Sequence, residues 1–263
     1  MIVDLFSFAV AIFPGQLPIS HWPSLTLSSR CAPRLAAVDH ASIIDGCLAG
    51  PVAAALQSDA RDRVASYLQL LLKYNERTNV YSKSAYEKLP FHVQDSLKLA
   101  EILSKVVSTP GGSSGGGILD VGSGSGLPSL IVACVLPETP VFAIESKSRK
   151  TRFLQLAARE IGLEHYCPLT CNVHEFSRSW AFEVDAVTAK AFKPLPEVEP
   201  IARRCISSSA RLLVPISEAQ VQEFALDEAQ LIREGQFLYF SSTLQPSHGA
   251  AQRKLCRVDT APR

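Results

Sequence analysis

The sequence has almost no excess of charge of one sign, although it is 263 residues long and 47% hydrophobic. Lysine and arginine total 26 against 25 acidic residues, a formal net charge of +1. A nucleic-acid partner therefore cannot be inferred from global charge, and any electrostatic footprint has to be local. The length is sufficient for one or two domains with a buried core.

The cysteines lack the spacing that a disulfide framework or a zinc site requires. Seven are scattered along the chain, and none forms a CxxC pair. Cys167 and Cys171 have no His or Cys partner at zinc-site spacing. We therefore expect no metal site, and free, mostly buried thiols in a reducing compartment.

Long apolar runs are also missing. The run at 5–13 is nine residues long and includes Ser7, against the roughly 20 residues needed to cross a bilayer. No Lys or Arg precedes Arg30, so the positive start of a secretory signal is lacking. We expect no membrane partner and no export.

Residues 14–38 combine prolines, serines and two arginines without an acidic residue. This composition is typical of a disordered tail and equally of an organellar transit segment. We assign residues 1–49 to one of these two, and the sequence leaves both open.

Hydrophobic spacing becomes regular after residue 50. Apolar residues three and four apart predict a helix over 52–72 and a second over 90–107, which together make a helical N-terminal region at 50–108. The Gly- and Ser-rich stretch 109–117 is typical of a flexible joint.

Short apolar runs alternate with helical patterns over 118–263. Strands are predicted at 118–121, 141–144, 165–171, 184–188 and 211–214. Helices are predicted at 127–136, 148–162 and 196–206, and a closing pair of strands at 236–241 and 254–258. Such alternation predicts an α/β fold with a mostly parallel, doubly wound sheet.

The most specific feature is the segment DVGSGSGLP (120–128), which follows a buried strand and opens a helix. Gly122, Gly124 and Gly126 let the backbone turn tightly and approach a ligand closely. Their GxGxG spacing differs from the GxGxxG of dinucleotide enzymes. With Asp120 two residues before the first glycine, the loop resembles motif I of the Rossmann-like S-adenosylmethionine-dependent methyltransferases.

Glu145 ends the next predicted strand, 23 residues after Gly122 (145 − 122). A carboxylate at this place reaches the ribose hydroxyls of a bound nucleoside. An acid at a helix start also faces the positive end of the helix dipole without binding any ligand. The glycine loop beside it favours the ribose role.

Two polar clusters precede the glycine loop, YN at 74–75 with Asn79 and HxxDS at 92–96. By themselves they are explained by helix termination and capping. His92 and Asp95 have neither a nucleophile nor a metal partner at a known spacing, so hydrolase chemistry is not indicated.

Five segments match one family in order and rough spacing: KYNERTNV (73–80), HVQDSL (92–97), ILDVGSGSGLPS (118–129), SRKTRFL (148–154) and FEVDAVTAKAF (182–192). Over about residues 55 to 214, the chain resembles the RsmG (GidB) family of small-subunit (16S) rRNA guanine-N7 methyltransferases. The resemblance implies a Rossmann-like methyltransferase fold over 118–263 with a short helical N-terminal extension.

The resemblance also implies S-adenosyl-L-methionine as cofactor and small-subunit rRNA, or the assembling small subunit, as partner. It implies the cytoplasm, or a plastid or mitochondrion if residues 1–48 are a transit segment. We expect a monomer. Guanine N7 carries a lone pair and no proton, so its methylation requires positioning rather than a general base. We therefore assign no proton-transfer residue.

Further cofactor contacts follow from the resemblance: Leu127 in the loop, Val173 and His174 beside the adenine, and Lys190. The family usually has Glu at the position of His174 and Arg at that of Lys190. Lysine keeps the charge of arginine but loses its bidentate fork. The family's Lys-Gly element is also missing from 214–220.

A local basic run is the candidate RNA contact, and it consists of Lys147, Arg149, Lys150 and Arg152. Such a run is usually a solvated helix face. The resemblance favours phosphate contact here, which makes binding salt-dependent.

Three alternatives stay open at this point. The chain could methylate another substrate, or be a non-catalytic RNA- or ribosome-binding relative, which Lys190 and the altered region after residue 214 motivate. A nicotinamide dehydrogenase is disfavoured by the GxGxG spacing.

Overall fold

The computed structural model describes residues 39–107, 116–247 and 254–256. Residues 1–38 of the predicted tail and most of the predicted joint lie outside the described residues. From His40 onward the chain belongs to one unit. None of the helices within the described ranges combines the length and apolarity that crossing a membrane requires.

Helices dominate the N-terminal part of the described chain. They are α1 (His40–Leu48), α2 (Pro51–Ala54), α3 (Ser58–Asn75), a 3-10 turn (Lys83–Lys88) and α4 (Leu89–Ser104). The predicted helix over 52–72 is interrupted at 55–57, where the backbone leaves the helical conformation. The predicted second helix corresponds to α4.

Helix α1 corrects the assignment of 1–49 to a tail. Cys47 and Leu48 are buried, and Gln94 Nε2 donates to the Cys47 carbonyl at 2.7 Å. Arg61 Nη2 donates to the Leu48 carbonyl at 3.2 Å. The helix is nine residues long, too short to be stable alone, so its order depends on α3 and α4 and is not visible in local spacing.

The described residues form nine strands: β1 (Ile118–Val121), β2 (Val141–Glu145), β3 (Tyr166–Thr170), β4 (Trp180–Phe182), β5 (Ala186–Thr188), β6 (Ala210–Pro215), β7 (Leu231–Glu234), β8 (Phe237–Leu244) and β9 (Lys254–Cys256). Seven of them make one sheet in the order β3-β2-β1-β5-β6-β8-β7. Five neighbouring strands run parallel, namely β3, β2, β1, β5 and β6. Strands β8 and β7 are antiparallel additions at one edge.

Helices follow the parallel strands: α5 (Ser129–Val135), α6 (Ser148–Ile161), α7 (Val173–Ser179), α8 (Leu195–Cys205) and α9 (Glu218–Glu223). Every residue of β1 and β2 is buried, as expected for parallel strands covered on both faces. The predicted α/β fold with a mostly parallel sheet is confirmed.

The predicted closing pair of strands is wrong in its pairing. Strand β8 pairs with β6 and β7, whereas β9 pairs with β4 in a separate two-stranded sheet. Local hydrophobic pattern identifies a strand but does not specify which distant strand it joins, so this part of the topology is not predictable from spacing.

The N-terminal helices share the core of the sheet. Tyr67 and Leu68 of α3, Leu97 of α4, and Leu130 and Ile131 of α5 belong to one cluster of buried side chains. The helical region therefore packs directly on the half of the sheet that carries the glycine loop, and it contributes contacts to that loop.

Candidate functional site

The glycine loop lies where β1 ends, and its three glycines have positive φ angles. These are +81° at Gly122, +60° at Gly124 and +97° at Gly126. A Cβ at Gly122 would lie 2.4 Å from the Phe192 ring, and one at Gly126 would lie 2.6 Å from Leu130. Only glycine fits those two positions. The space beside Gly124 is open, with no atom closer than 3.8 Å.

Glu145 is the last residue of β2 and is 6% exposed. Its Oε2 accepts a hydrogen bond from the Gly124 backbone N–H at 2.9 Å. Its Oε1 accepts from the Lys147 N–H at 2.7 Å, at the start of α6, and from the Ser146 hydroxyl at 3.4 Å. The carboxylate thus serves the helix start and the glycine loop together. Oε2 keeps an acceptor direction for a ligand hydroxyl, because a carboxylate oxygen can accept two hydrogen bonds.

Asp120 lies in β1 and is completely buried. Neither carboxyl oxygen has a hydrogen-bond partner among the described residues, and burial raises the pKa of this group to about 6. A buried carboxylate without a partner is unfavourable. The Ser123 and Ser129 hydroxyls nearby lower the pKa and offset part of this cost, and the two oxygens have capacity to accept from a ligand.

The 171–174 turn lies at the same edge of the sheet. The Cys171 N–H donates to the backbone carbonyl of Glu145 at 3.0 Å. The Asn172 side chain then caps α7 by accepting from the His174 N–H at 3.0 Å. Val173 is buried and His174 is exposed. Val173 and His174 therefore lie in the turn that Cys171 joins to Glu145. Their contact with an adenine stays a prediction.

Lys190 follows β5, and its ammonium points to the N-terminal helices. Nζ lies 2.5 Å from Asp95 Oδ2 and 3.3 Å from the His92 carbonyl oxygen. The side chains of Lys190 and Asp95 are 13% and 6% exposed. The predicted cofactor contact of Lys190 stays a prediction, and the sequence did not identify its ion pair with α4.

The two polar clusters before the glycine loop have different roles. Asn75 is structural, because its Nδ2 donates to the Tyr81 carbonyl and the Tyr86 hydroxyl at 2.7 and 2.8 Å. Its Oδ1 accepts from the Val80 N–H at 2.9 Å. The HxxDS cluster instead contacts the turn after β5, because Asp95 pairs with Lys190. The helix-terminating interpretation thus holds for Asn75 and is incomplete for Asp95.

His92 is half-buried beside Lys190. Burial, and then the positive charge of Lys190, lowers the pKa of the imidazole below its usual value. Its Nδ1 is buried and has no hydrogen-bond partner among the described residues. The ring is therefore neutral at neutral pH.

Two further residues at this site were not identified in the sequence. The Tyr67 hydroxyl of α3 donates to the Ser125 carbonyl in the glycine loop at 3.0 Å. Phe192 lies against Gly122, next to Ala191, whose φ is +50°. Tyr67 has the spacing of an ordinary core residue, so no local signal distinguishes it. Phe192 lies in a matched segment but had no assigned role.

The four cations of the basic run differ in their exposure to solvent. Lys147, Arg149 and Arg152 are exposed, whereas Lys150 is partly buried. Lys150 Nζ would lie 3.8 Å from a Cβ on Gly124, so it borders the open side of the loop. Arg149 Nη2 donates to the Asn79 carbonyl at 3.1 Å.

Within residues 39–107, 116–247 and 254–256, no group of three or more His, Cys, Asp or Glu side chains is placed to hold a metal ion.

Comparison with known proteins gives one consistent family. The family model for rRNA small subunit methyltransferase G (GidB) matches residues 61–256. The "Ribosomal RNA small subunit methyltransferase G" of Paracoccus denitrificans is 32% identical over 149 residues, covering 56% of this chain and 72% of that protein. Its namesake in Halorhodospira halophila is 30% identical over 171 residues, covering 65% and 76%.

A third relative, from Syntrophotalea carbinolica, has the same name and is 29% identical over 188 residues, covering 70% of this chain and 81% of that protein. The family match spans most of the described chain, including the glycine loop, Glu145 and Lys190. The resemblance seen in the sequence is confirmed, and the chain belongs to the rRNA small subunit methyltransferase G (GidB) family.

Proposed function

We propose that this chain transfers a methyl group from S-adenosylmethionine to N7 of a guanosine in small-subunit ribosomal RNA. Family membership supports the reaction class. The observation that carries the proposal is the meeting of the open glycine loop with two buried carboxylates, Asp120 and Glu145, at one edge of the sheet.

These residues fit the cofactor chemically. Glu145 keeps acceptor capacity beside Gly124, where ribose hydroxyls donate. Asp120 has two buried oxygens without partners among the described residues, which suits a positively charged ligand. Gly122, Gly126 and Leu127 shape the loop, and Val173 and His174 flank the adenine. When bound, S-adenosylmethionine supplies a methyl group already activated on a sulfonium.

Proton transfer before attack is unnecessary, because N7 presents a lone pair. The work of the protein is to hold the base in line with the methyl group and to exclude water. Lys190 acts through Asp95, which fixes the turn after β5 against α4. The neutral imidazole of His92 adds no charge to this turn.

The RNA side of the site begins at the exposed cations of α6. Lys147, Arg149 and Arg152 offer phosphate contacts, and Lys150 borders the glycine loop. N7 lies in the deep major groove of an A-form helix, where side chains do not reach. The substrate guanosine is therefore unpaired, as in a loop or in an assembling subunit. We propose that the protein acts as a monomer in the cytoplasm, or in a plastid or mitochondrion if residues 1–48 are a transit segment.

The test is transfer of labelled methyl from S-adenosylmethionine to small ribosomal subunits that lack the modification. Large subunits and fully modified small subunits are the controls. Label in unmodified small subunits alone supports the proposal. Label in large subunits or in protein identifies a methyltransferase with another substrate.

One observation favours a second candidate, a non-catalytic RNA-binding member of the family. Lys190 stands where the family usually has arginine, and Asp95 already neutralises its charge. Cofactor binding and small-subunit binding without any methyl transfer would identify this candidate.

A further inference from the structure

We infer that Phe91 and Phe192 form a stacking surface for unpaired nucleotides of the RNA substrate. The inference rests on the proposed function and adds the residues that hold the target base and its neighbour. Phe192 is the inner ring, beside the glycine loop, and Phe91 is the outer ring, at the start of α4.

Phe192 lies directly on the cofactor loop. Its ring atoms would lie 2.4 and 2.9 Å from a Cβ placed on Gly122, so the ring occupies the space that the missing side chain leaves. The ring is only partly buried. It therefore borders both the loop and solvent, which is the position that a methyl acceptor has to reach.

The backbone holds Phe192 there in an unusual conformation. Ala191 has a φ of +50°, in the left-handed region that residues with a Cβ rarely adopt. Strained backbone persists where the surroundings over-determine it, and it is concentrated at functional sites. Lys190, the residue before it, is fixed by Asp95 and by the His92 carbonyl. The turn is thus anchored just before the ring.

Phe91 is the large apolar side chain that is most exposed to solvent within the described residues, at 47%. Its ring centroid lies 5.6 Å from that of the buried Phe237 and 5.8 Å from that of His92. These neighbours support the ring on one part of its surface and leave nearly half of it accessible. A supported aromatic ring loses little conformational entropy when a base stacks on it.

The two segments that carry these rings meet at one contact. Lys190 Nζ donates to the carbonyl of His92, the residue after Phe91, and Phe192 lies two residues beyond Lys190. Positive charge lies close to Phe91, because Lys88 is exposed near His92 and Lys190 donates to the His92 carbonyl. An exposed aromatic ring beside cations fits a nucleic acid strand better than an apolar protein surface.

The chemistry of the reaction explains why stacking belongs here. Methylation of N7 leaves positioning as the main task of the protein, and an aromatic face holds a base without consuming its in-plane lone pair. Base–aromatic stacking is effective for any unpaired nucleotide. Phe192 is the positioning residue for the target guanine, and Phe91 holds an adjacent nucleotide.

The experiment titrates a fluorescein-labelled, single-stranded, guanosine-containing oligoribonucleotide against the full chain by anisotropy. Phe91→Leu, Phe192→Leu and their double variant are compared with Phe224→Leu, a partly buried phenylalanine beside a separate cavity lined by α8. Phe91→Trp and Phe192→Tyr test rescue. Thermal unfolding of each variant and calorimetry with S-adenosylhomocysteine run in parallel.

We expect about tenfold weaker RNA binding for each leucine variant, a larger loss for the double variant, and recovery with the aromatic replacements. The slope of log Kd against log salt concentration should not change, because no cation is removed. Phe224→Leu should bind RNA like the wild type.

Wild-type RNA affinity in both leucine variants overturns the inference, as does an equal loss in Phe224→Leu. Phe91→Leu keeps the test decisive if Phe192→Leu unfolds, because Phe91 is not a core residue. Absence of methyl transfer by the wild type, together with weakened RNA binding in the leucine variants, would reject the proposed reaction and retain the stacking surface.

Discussion

The Lys190 ammonium and the Asp95 carboxylate lie 2.5 Å apart, with only 13% and 6% of their side chains exposed. This pair joins the turn after β5 to helix α4. The same helix also contacts β8, where the Tyr239 hydroxyl donates to the backbone carbonyl oxygen of Asp95 at 3.0 Å. The N-terminal helical region is therefore tied to both the cofactor edge and the antiparallel edge of the sheet.

Removal of one partner of this pair should be costly. Asp95→Asn leaves the Lys190 charge buried without its counter-ion, and we expect the free energy of unfolding to fall by about 3 kcal/mol. Urea denaturation measures the change. Glu101→Gln is the control, since Glu101 is 46% exposed and Lys98 keeps a second ion pair with Glu234, and it should cost less than about 1 kcal/mol. Equal stability of Asp95→Asn and wild type would show that the pair is not maintained in solution.

Gly124→Asp should abolish cofactor binding. The new carboxylate would enter the open space of the loop next to Glu145, which accepts from the Gly124 N–H at 2.9 Å. The side chain would fill the space left for the ligand, and its charge would repel the Glu145 carboxylate from its place beside the loop. Affinity for S-adenosylmethionine should therefore fall by about a hundredfold or more. Isothermal titration calorimetry gives the dissociation constant.

Gly162→Asp is the matched control for Gly124→Asp. Gly162 ends α6 with a φ of +78° and has no atom within 4 Å of a Cβ position. Replacing Gly162 by Asp imposes a similar backbone penalty of about 1 kcal/mol at a position away from the ligand. Cofactor affinity should stay at the wild-type value. Unchanged affinity in Gly124→Asp would reject the assignment of the loop.

Asp120 predicts an unusual dependence of stability on pH. Its pKa is about 6 in the folded chain against an ordinary value of 3.8. The folded state therefore keeps a proton that the unfolded state releases, and stability falls as the pH rises between these two values. Asp120→Asn lacks this loss, so its free energy of unfolding should exceed that of the wild type by about 3 kcal/mol at neutral pH.

Urea denaturation of the cofactor-free protein between about pH 4 and pH 7.5 tests this difference. The advantage of Asp120→Asn should shrink to less than about 1 kcal/mol at the acid end, where the wild-type carboxyl is protonated in the folded state and partly protonated in the unfolded state. The exposed Asp62 provides the control, Asp62→Asn, for which no such crossover is expected. A pH-independent difference would contradict the burial of a titrating carboxyl at this position.

The basic run should determine the salt dependence of RNA binding. Arg149→Ala and Arg152→Ala each remove one exposed cation from α6. Removing one phosphate-binding cation lowers the slope of log K against log salt concentration by about 0.7 for a single strand. Arg159→Ala, in the last turn of the same helix and paired with Glu160, should leave the slope unchanged. Slopes equal to the wild-type slope in all three variants would show that RNA binds to another surface.

Local patterns were sufficient for the cofactor half of the molecule. Strands β1 and β2 are continuous buried runs, and the glycine loop and Glu145 lie at their ends, so sequence spacing alone brings these residues together. This succeeds because the carboxyl ends of neighbouring parallel strands meet at one edge of a sheet.

Contacts between distant segments were not visible in the sequence. Asp95 and Lys190 are 95 residues apart, and Tyr67 reaches Ser125 across 58 residues. Helix α1 depends on side chains of α3 and α4, and β9 pairs with β4 rather than with its sequence neighbour. In each case tertiary packing, not local propensity, determines the outcome.

The most direct test of the proposed reaction is the identity of the methylated nucleoside. Small subunits lacking the modification are incubated with the protein and labelled S-adenosylmethionine, digested to nucleosides, and separated by chromatography with mass detection. We expect label in 7-methylguanosine, absent with the Gly124→Asp variant and retained with Gly162→Asp. Label in any other nucleoside, or none while the cofactor still binds, would contradict it.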